Sequence, residues 1–104
     1  MSEGAAVIEC SSLDEVRAAI DGLDQQIVQL LAARGAYVSQ AARFKKDDDA
    51  VRAPQRVEQV IAKVKALAVE AGASPVVVEQ VYRAMIAAFI EAELAEHATL
   101  QQRT

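Results

Sequence analysis

A chain can catalyse without a nucleophile if it places charges well, and the residues here whose spacing bears on that are Arg17, Arg34, Lys45 and Glu93, while Arg56 falls in a helix's first turn, where solvated arginines are common. Arg34 is the most informative. Leu13, Val16, Ile20, Leu23, Ile27, Leu30, Arg34, Tyr37, Ala41 and Phe44 recur at spacings of mostly three and four, so Arg34 stands where an amphipathic helix reserves its seam for apolar residues. A buried guanidinium is costly unless paired and hydrogen-bonded. It either forms a structural ion pair with a carboxylate of another helix or waits for an anionic ligand. If the helix continues through Lys45, eleven residues make about three full turns, so Arg34 and Lys45 share a face about 16 Å apart along the axis. Arg17 lies about 25 Å from Arg34 and is rotated by roughly 100°. To serve the same kind of site it would act in a partner chain. Glu93 follows Phe89 by four residues and so projects on or beside an apolar stripe. It is either a carboxylate at the stripe's edge, paired to Arg34 for instance, or a desolvated carboxyl that keeps its proton and donates a hydrogen bond.

Three helices are expected to position these groups. The first opens at Ser12-Leu13-Asp14-Glu15, a capping box, and runs to about Lys46 despite Gly22 and Gly35. Asp47-Asp48-Asp49 interrupts it. Pro54 then suits the first turn of a second helix whose stripe is Val57, Val60, Ile61, Val64, Leu67 and Ala68, and Gly72 is placed to end it in a left-handed cap. Ser74-Pro75 restarts the chain as N-cap and first turn of a third helix carrying Val78, Val81, Tyr82, Met85, Phe89 and Ala92. No alternating pattern long enough for a strand intervenes. Residues 1–11 and 99–104 are expected to be flexible ends around one helical domain over 12–98.

The composition excludes several functions. The chain has 104 residues, enough for one small domain, with 22 Ala and 13 Val but only 4% aromatics and no Trp. An interior of such small side chains requires close approach of helix backbones. A domain of this length buries about 65% of the surface its unfolded chain exposes, so oligomerisation is expected. A first helix near 50 Å long also exceeds what the rest of one chain could cover. The single Cys10 excludes a disulfide framework and fits a reducing, cytoplasmic setting, and no stretch reads as a signal peptide or a membrane span. Net charge −4 argues against nucleic-acid and anionic-membrane partners. Yet six of the 11 basic residues fall between Arg34 and Arg56, a cationic zone suited to a small anion. Arg43, Lys46, Arg52 and Arg83 are read as surface residues. The serines form no triad, no glycine-rich phosphate loop is present, and His97, close to a fraying end, has no neighbours that would make a metal site.

Taken together, Leu13-x-x-x-Arg17-x-x-Ile20-Asp21-x-Leu23-Asp24, Leu31-Ala32-x-Arg34, Phe44-Lys45, Pro54-x-Arg56 and the segment from Tyr82 to Glu93 resemble the small all-helical chorismate mutases over roughly residues 12–96. The resemblance implies three helices per protomer, an intertwined homodimer, and two sites each completed by an arginine of the other chain. It implies no cofactor and no metal. Arg17 of one chain and Arg34 of the other would hold the two carboxylates of a small dicarboxylate substrate. Lys45 would bond the ether oxygen and a carboxylate, and Glu93, where many members carry Gln, would donate to that same oxygen. Arg56 would lie near the ring carboxylate, with Val57 and Phe89 as further substrate contacts. The implied reaction is the concerted rearrangement of chorismate to prephenate, as in aromatic amino-acid biosynthesis, driven by conformer selection and electrostatics. Two positions depart from the mutase pattern: Ala53 and Val57 replace acidic residues. Ala53-Pro54-x-Arg56-Val57 and Arg43-Phe44-Lys45 are closer to the related isochorismate pyruvate-lyases, which release pyruvate in forming salicylate. The mutase is the first expectation and the lyase the second. A non-catalytic helical dimer that binds a small dianion is the third.

Overall fold

The computed structural model describes residues 6–102. Its elements are α1 (Leu13–Ala42), a short α2 (Asp48–Arg52), α3 (Pro54–Ala71) and α4 (Pro75–Gln102), with no strand among the described residues. The chain is all-α, with three long helices where three are expected. Of the expected flexible ends, residues 1–5 and 103–104 lie outside the described residues. Residues 6–10 carry no regular structure, and α4 continues past position 98 to Gln102.

The helix starts follow side-chain chemistry. Ser12 Oγ accepts from Glu15 N at 3.1 Å, while the Glu15 carboxylate reaches back to the backbone N–H of Ser11 at 2.8 Å. The capping box therefore closes one residue earlier than expected. Ser74 Oγ accepts from Val77 N at 3.2 Å, with Pro75 in the first turn of α4. Gly72 ends α3 at φ 76°, with Gly72 N donating to Val69 O and Ala73 N donating to Ala68 O. That is a Schellman motif. A Cβ on Gly72 would meet nothing within 4 Å, so the glycine is required by its backbone angle alone.

The end of α1 differs from expectation. Regular helix stops at Ala42, not near Lys46, and Arg43, Phe44 and Lys45 donate to Gln40, Ala41 and Ala42 through tighter turn bonds. The acidic run that follows is more than a break. Asp47, extended at φ −152°, accepts from Ala50 N at 2.9 Å and caps α2, whose first turn carries Asp48 and Asp49 beside the positive helix end. The extended Asp47 bars regular helix from running on through position 47. Ala53 joins α2 to α3 in the left-handed region at φ 38°, a conformation that costs an L-residue about 1–2 kcal/mol. Its N–H bonds Asp49 O at 2.9 Å, and Pro54 follows in the first turn of α3.

The chain divides into two units, up to Tyr37 and from Val38 onward. The first is essentially the N-terminal part of α1, and none of its described residues is buried. Its stripe of Leu13, Val16, Ile20, Leu23, Ile27 and Leu30 is exposed, Leu30 at 69%. In the second unit α3 and α4 pack together, and α2 packs on α4. The core is Ala42, Val51, Ile61, Val64, Ala68 and Ile86. On α3 the expected stripe holds at Ile61, Val64 and Ala68, whereas Leu67 faces solvent. On α4 the inward face is rotated from the expected one: Val81 and Ala92 are exposed, while Ile86, Glu93 and His97 are buried. No helix among the described residues is long and apolar enough to cross a membrane.

Arg43, Lys46 and Arg52 are exposed as expected. Arg83 is also exposed, but it ties α4 to α3 by donating to Glu58 and, one turn back, to Glu79, all at 2.9 Å. Glu79 also pairs with Lys65 at 3.2 Å. The Arg83 guanidinium holds the Glu58 and Glu79 carboxyls below their ordinary value of 4.5. Carboxyls lowered by folding add stability that is present above 4.5 and is lost as the pH falls through the lowered values. Arg83→Met should therefore lower Tm near neutral pH, and the gap to the unmodified chain should close on acidification. A gap that stays constant from pH 7 into the acid range would contradict this role.

Candidate active site

Two of the sequence-identified site residues meet in the C-terminal unit. Lys45 sits in the turn after α1, and its Nζ lies 2.7 Å from Oε2 of Glu93 on α4. Glu93 is 3% exposed and the Lys45 side chain 26%. A carboxylate that deep is tolerated only with a counter-charge, and Lys45 supplies it. An ammonium has three N–H donors and a carboxylate several acceptor sites, so this one 2.7 Å contact exhausts neither. The ammonium thus keeps donors for a further acceptor, and the carboxyl keeps capacity for a further partner.

The route by which Lys45 reaches Glu93 is not the expected one. Because α1 stops at Ala42, helical rotation does not extend to Lys45, and the inference that Arg34 and Lys45 share one helix face lapses. The turn carries Lys45 instead. The end of α1 is fastened to α4 by Ser39, whose Oγ donates to Glu96 Oε1 and Oε2 at 2.8 and 2.7 Å. Phe89 is half-buried one turn before Glu93 on α4, and Val57 is half-buried and Arg56 exposed in the first turn of α3. Arg17 and Arg34 belong to the N-terminal unit, Arg17 exposed and Arg34 half-buried, about 25 Å apart along α1.

Sequence reasoning missed His97. Read as a residue near a frayed end, it is 5% exposed, and its Nε2 lies 3.0 Å from the backbone oxygen of Lys45. Its Nδ1 is 3.9 Å from Asp48 Oδ1 and makes no hydrogen bond. The signal was available in the spacing: Ile86, Glu93 and His97 fall at seven and four, one face of α4. Glu96 was missed as well, since nothing in the pattern links it to Ser39. Among the described residues no group of His, Cys, Asp or Glu could hold a metal ion.

An all-helical chain in which a half-buried lysine pairs with a buried glutamate is compatible with the enzymes that act by positioned charge. The defining pattern of chorismate mutase type II proteins matches residues 16–94. The isochorismate pyruvate lyase of Pseudomonas aeruginosa is 35% identical over 86 residues, spanning 83% of this chain and 85% of that protein. The chain belongs to the chorismate mutase type II family, a family of enzymes with small-molecule substrates.

Lys45→Met removes the counter-charge of Glu93 and should destabilise the fold by about 1–3 kcal/mol in urea unfolding. With Glu93→Gln already in place, the same change should cost less, a coupling of about 1 kcal/mol or more. Additive effects would mean that the two side chains do not support one another.

Proposed function

We propose that the chain is a cofactor-free isochorismate pyruvate-lyase, with chorismate mutase as the second reading. The observation that carries the choice is the likeness to the Pseudomonas aeruginosa lyase at 35% identity, joined to Ala53 and Val57, which occupy positions where mutases carry acids. A neutral, half-buried Val57 suits a substrate whose ring hydroxyl lies elsewhere. The mutase reading draws its support from the family match over residues 16–94.

The two reactions share their decisive event. In each, the ether C–O bond of an enolpyruvyl side chain breaks and negative charge grows on the ether oxygen. In the lyase reaction a ring hydrogen passes to the methylene carbon of the side chain, so that isochorismate becomes salicylate and pyruvate with no atom gained or lost. In the mutase reaction that carbon bonds to the ring instead. Lys45 and Glu93, already 2.7 Å apart, are suited to converge on one oxygen: Lys45 donates to it as charge develops, and Glu93, when it carries a proton, donates as well. Arg34 and Arg56 of one chain and Arg17 of a second take the substrate carboxylates and hold the folded conformer, which supplies the entropic part of the rate. Phe89 and Val57 contact the substrate's carbon skeleton.

The homodimer is part of the same proposal. The exposed stripe from Leu13 to Leu30 has no cover within its own unit, and a helix with an uncovered apolar face is marginal in water. A second copy with the same stripe would cover it symmetrically, as the family resemblance implies.

Purified protein given isochorismate and chorismate separately should form salicylate and pyruvate from the first with a higher kcat/KM than prephenate from the second. The reverse order would establish the mutase reading, and turnover of neither would refute both. Light scattering should give a dimer. Arg34→Ala should cost about 2–4 kcal/mol of transition-state stabilisation, the scale of one preorganised charged donor. Full activity in that variant would reduce Arg34 to a structural ion-pair partner.

A further inference from the structure

We infer that His97 is a positioning residue for Lys45, holding its backbone so that its ammonium stays in reach of the breaking bond. The inference rests on the proposed role of Lys45 but adds a residue that the family resemblance does not carry over. Lys45 lies outside regular helix, and its own N–H bond to Ala42 O is long at 3.3 Å. Its carbonyl is held elsewhere: His97 Nε2 lies 3.0 Å from Lys45 O. A carbonyl only accepts, so the hydrogen must be on Nε2 and the neutral ring has a bare lone pair on Nδ1. Nδ1 itself makes no hydrogen bond, and Asp48 Oδ1 lies 3.9 Å from it, so the Nε2 contact to Lys45 O is what sets the tautomer.

One face of one helix therefore grips Lys45 at both ends. Glu93 takes the ammonium, and His97, one turn further along α4, takes the carbonyl. The residues around the turn have independent anchors: Ser39 on Glu96 before it and the Asp47 cap after it. Among the described residues, His97 is what acts on Lys45's own backbone from outside the turn. When a substrate oxygen draws the ammonium away from Glu93, the side-chain contact loosens while the carbonyl contact remains. The four-methylene arm then swings from a fixed root. Loss of that root shifts the ammonium, and misplacement by about 1 Å can cost about 100-fold in rate.

The test compares two variants that fill the buried space differently. His97→Gln keeps an N–H donor near the position of Nε2, whereas His97→Leu has none. Turnover of the preferred substrate by His97→Leu should fall in kcat by about 10- to 100-fold with KM changed only a few-fold, and His97→Gln should recover most of the loss. A kcat for His97→Leu within two-fold of the unmodified chain would overturn the inference, as would equal impairment of the two variants. A second measurement needs neither a variant nor turnover: long-range proton–nitrogen correlation on the unmodified chain should show the hydrogen of the neutral ring on Nε2. Hydrogen on Nδ1 would overturn the inference even if the variants fail to fold. If the unmodified chain turns over neither substrate, the functional reading fails, and the tautomer alone decides whether His97 holds Lys45.

Discussion

The C-terminal unit is organised around one buried carboxylate. Glu93 lies at 3% exposure on the inward face of α4, where the helix pattern would otherwise place an apolar side chain. A neighbouring segment must bring a cation to it. Lys45 does so from a turn, and for the turn to exist α1 has to stop at Ala42. The Asp47 cap, the short α2 and the left-handed Ala53 then carry the chain back to the start of α3. Each of these departures from plain helix costs free energy locally. Together they put a long cationic side chain against the buried carboxylate of α4.

Helix beginnings were legible in the sequence because a start depends on a few adjacent residues. Ser12, Ser74-Pro75 and Pro54 each act locally, and Gly72 marks the end of α3 in the same way. The end of α1 was not legible, because no glycine or proline stops it. What accompanies it lies downstream, in the Asp47 cap and in the Lys45–Glu93 pair, which spans 48 residues of sequence. The same split runs through the site. Glu93 was visible as a charge on an apolar stripe, since periodicity alone reveals a misplaced polar residue. His97 carried the same signal but was discounted for its nearness to the chain end, although α4 continues well beyond it. Ser39 and Glu96 were invisible, being ordinary polar residues whose pairing only the packing of helix ends reveals.

The two units contribute differently to the proposed chemistry. The C-terminal one has its own core and holds Lys45 and Glu93 in contact. The N-terminal one carries Arg17 and Arg34 on a helix whose apolar stripe has no cover within that unit. If a second chain covers the stripe, binding and folding become one event: the surface that completes the fold also delivers the cation that completes the site. Small alanine and valine side chains suit such an assembly because they let helix backbones approach closely.

Convergence of Lys45 and Glu93 on a single ligand oxygen would be seen directly in a crystal structure with a bound ether-bridged dicarboxylate that mimics the cyclic transition state. The ether oxygen should lie within about 3 Å of both Lys45 Nζ and a Glu93 carboxyl oxygen, with Lys45 O still bonded to His97. A ligand bound elsewhere, with the Lys45–Glu93 contact unchanged, would contradict it.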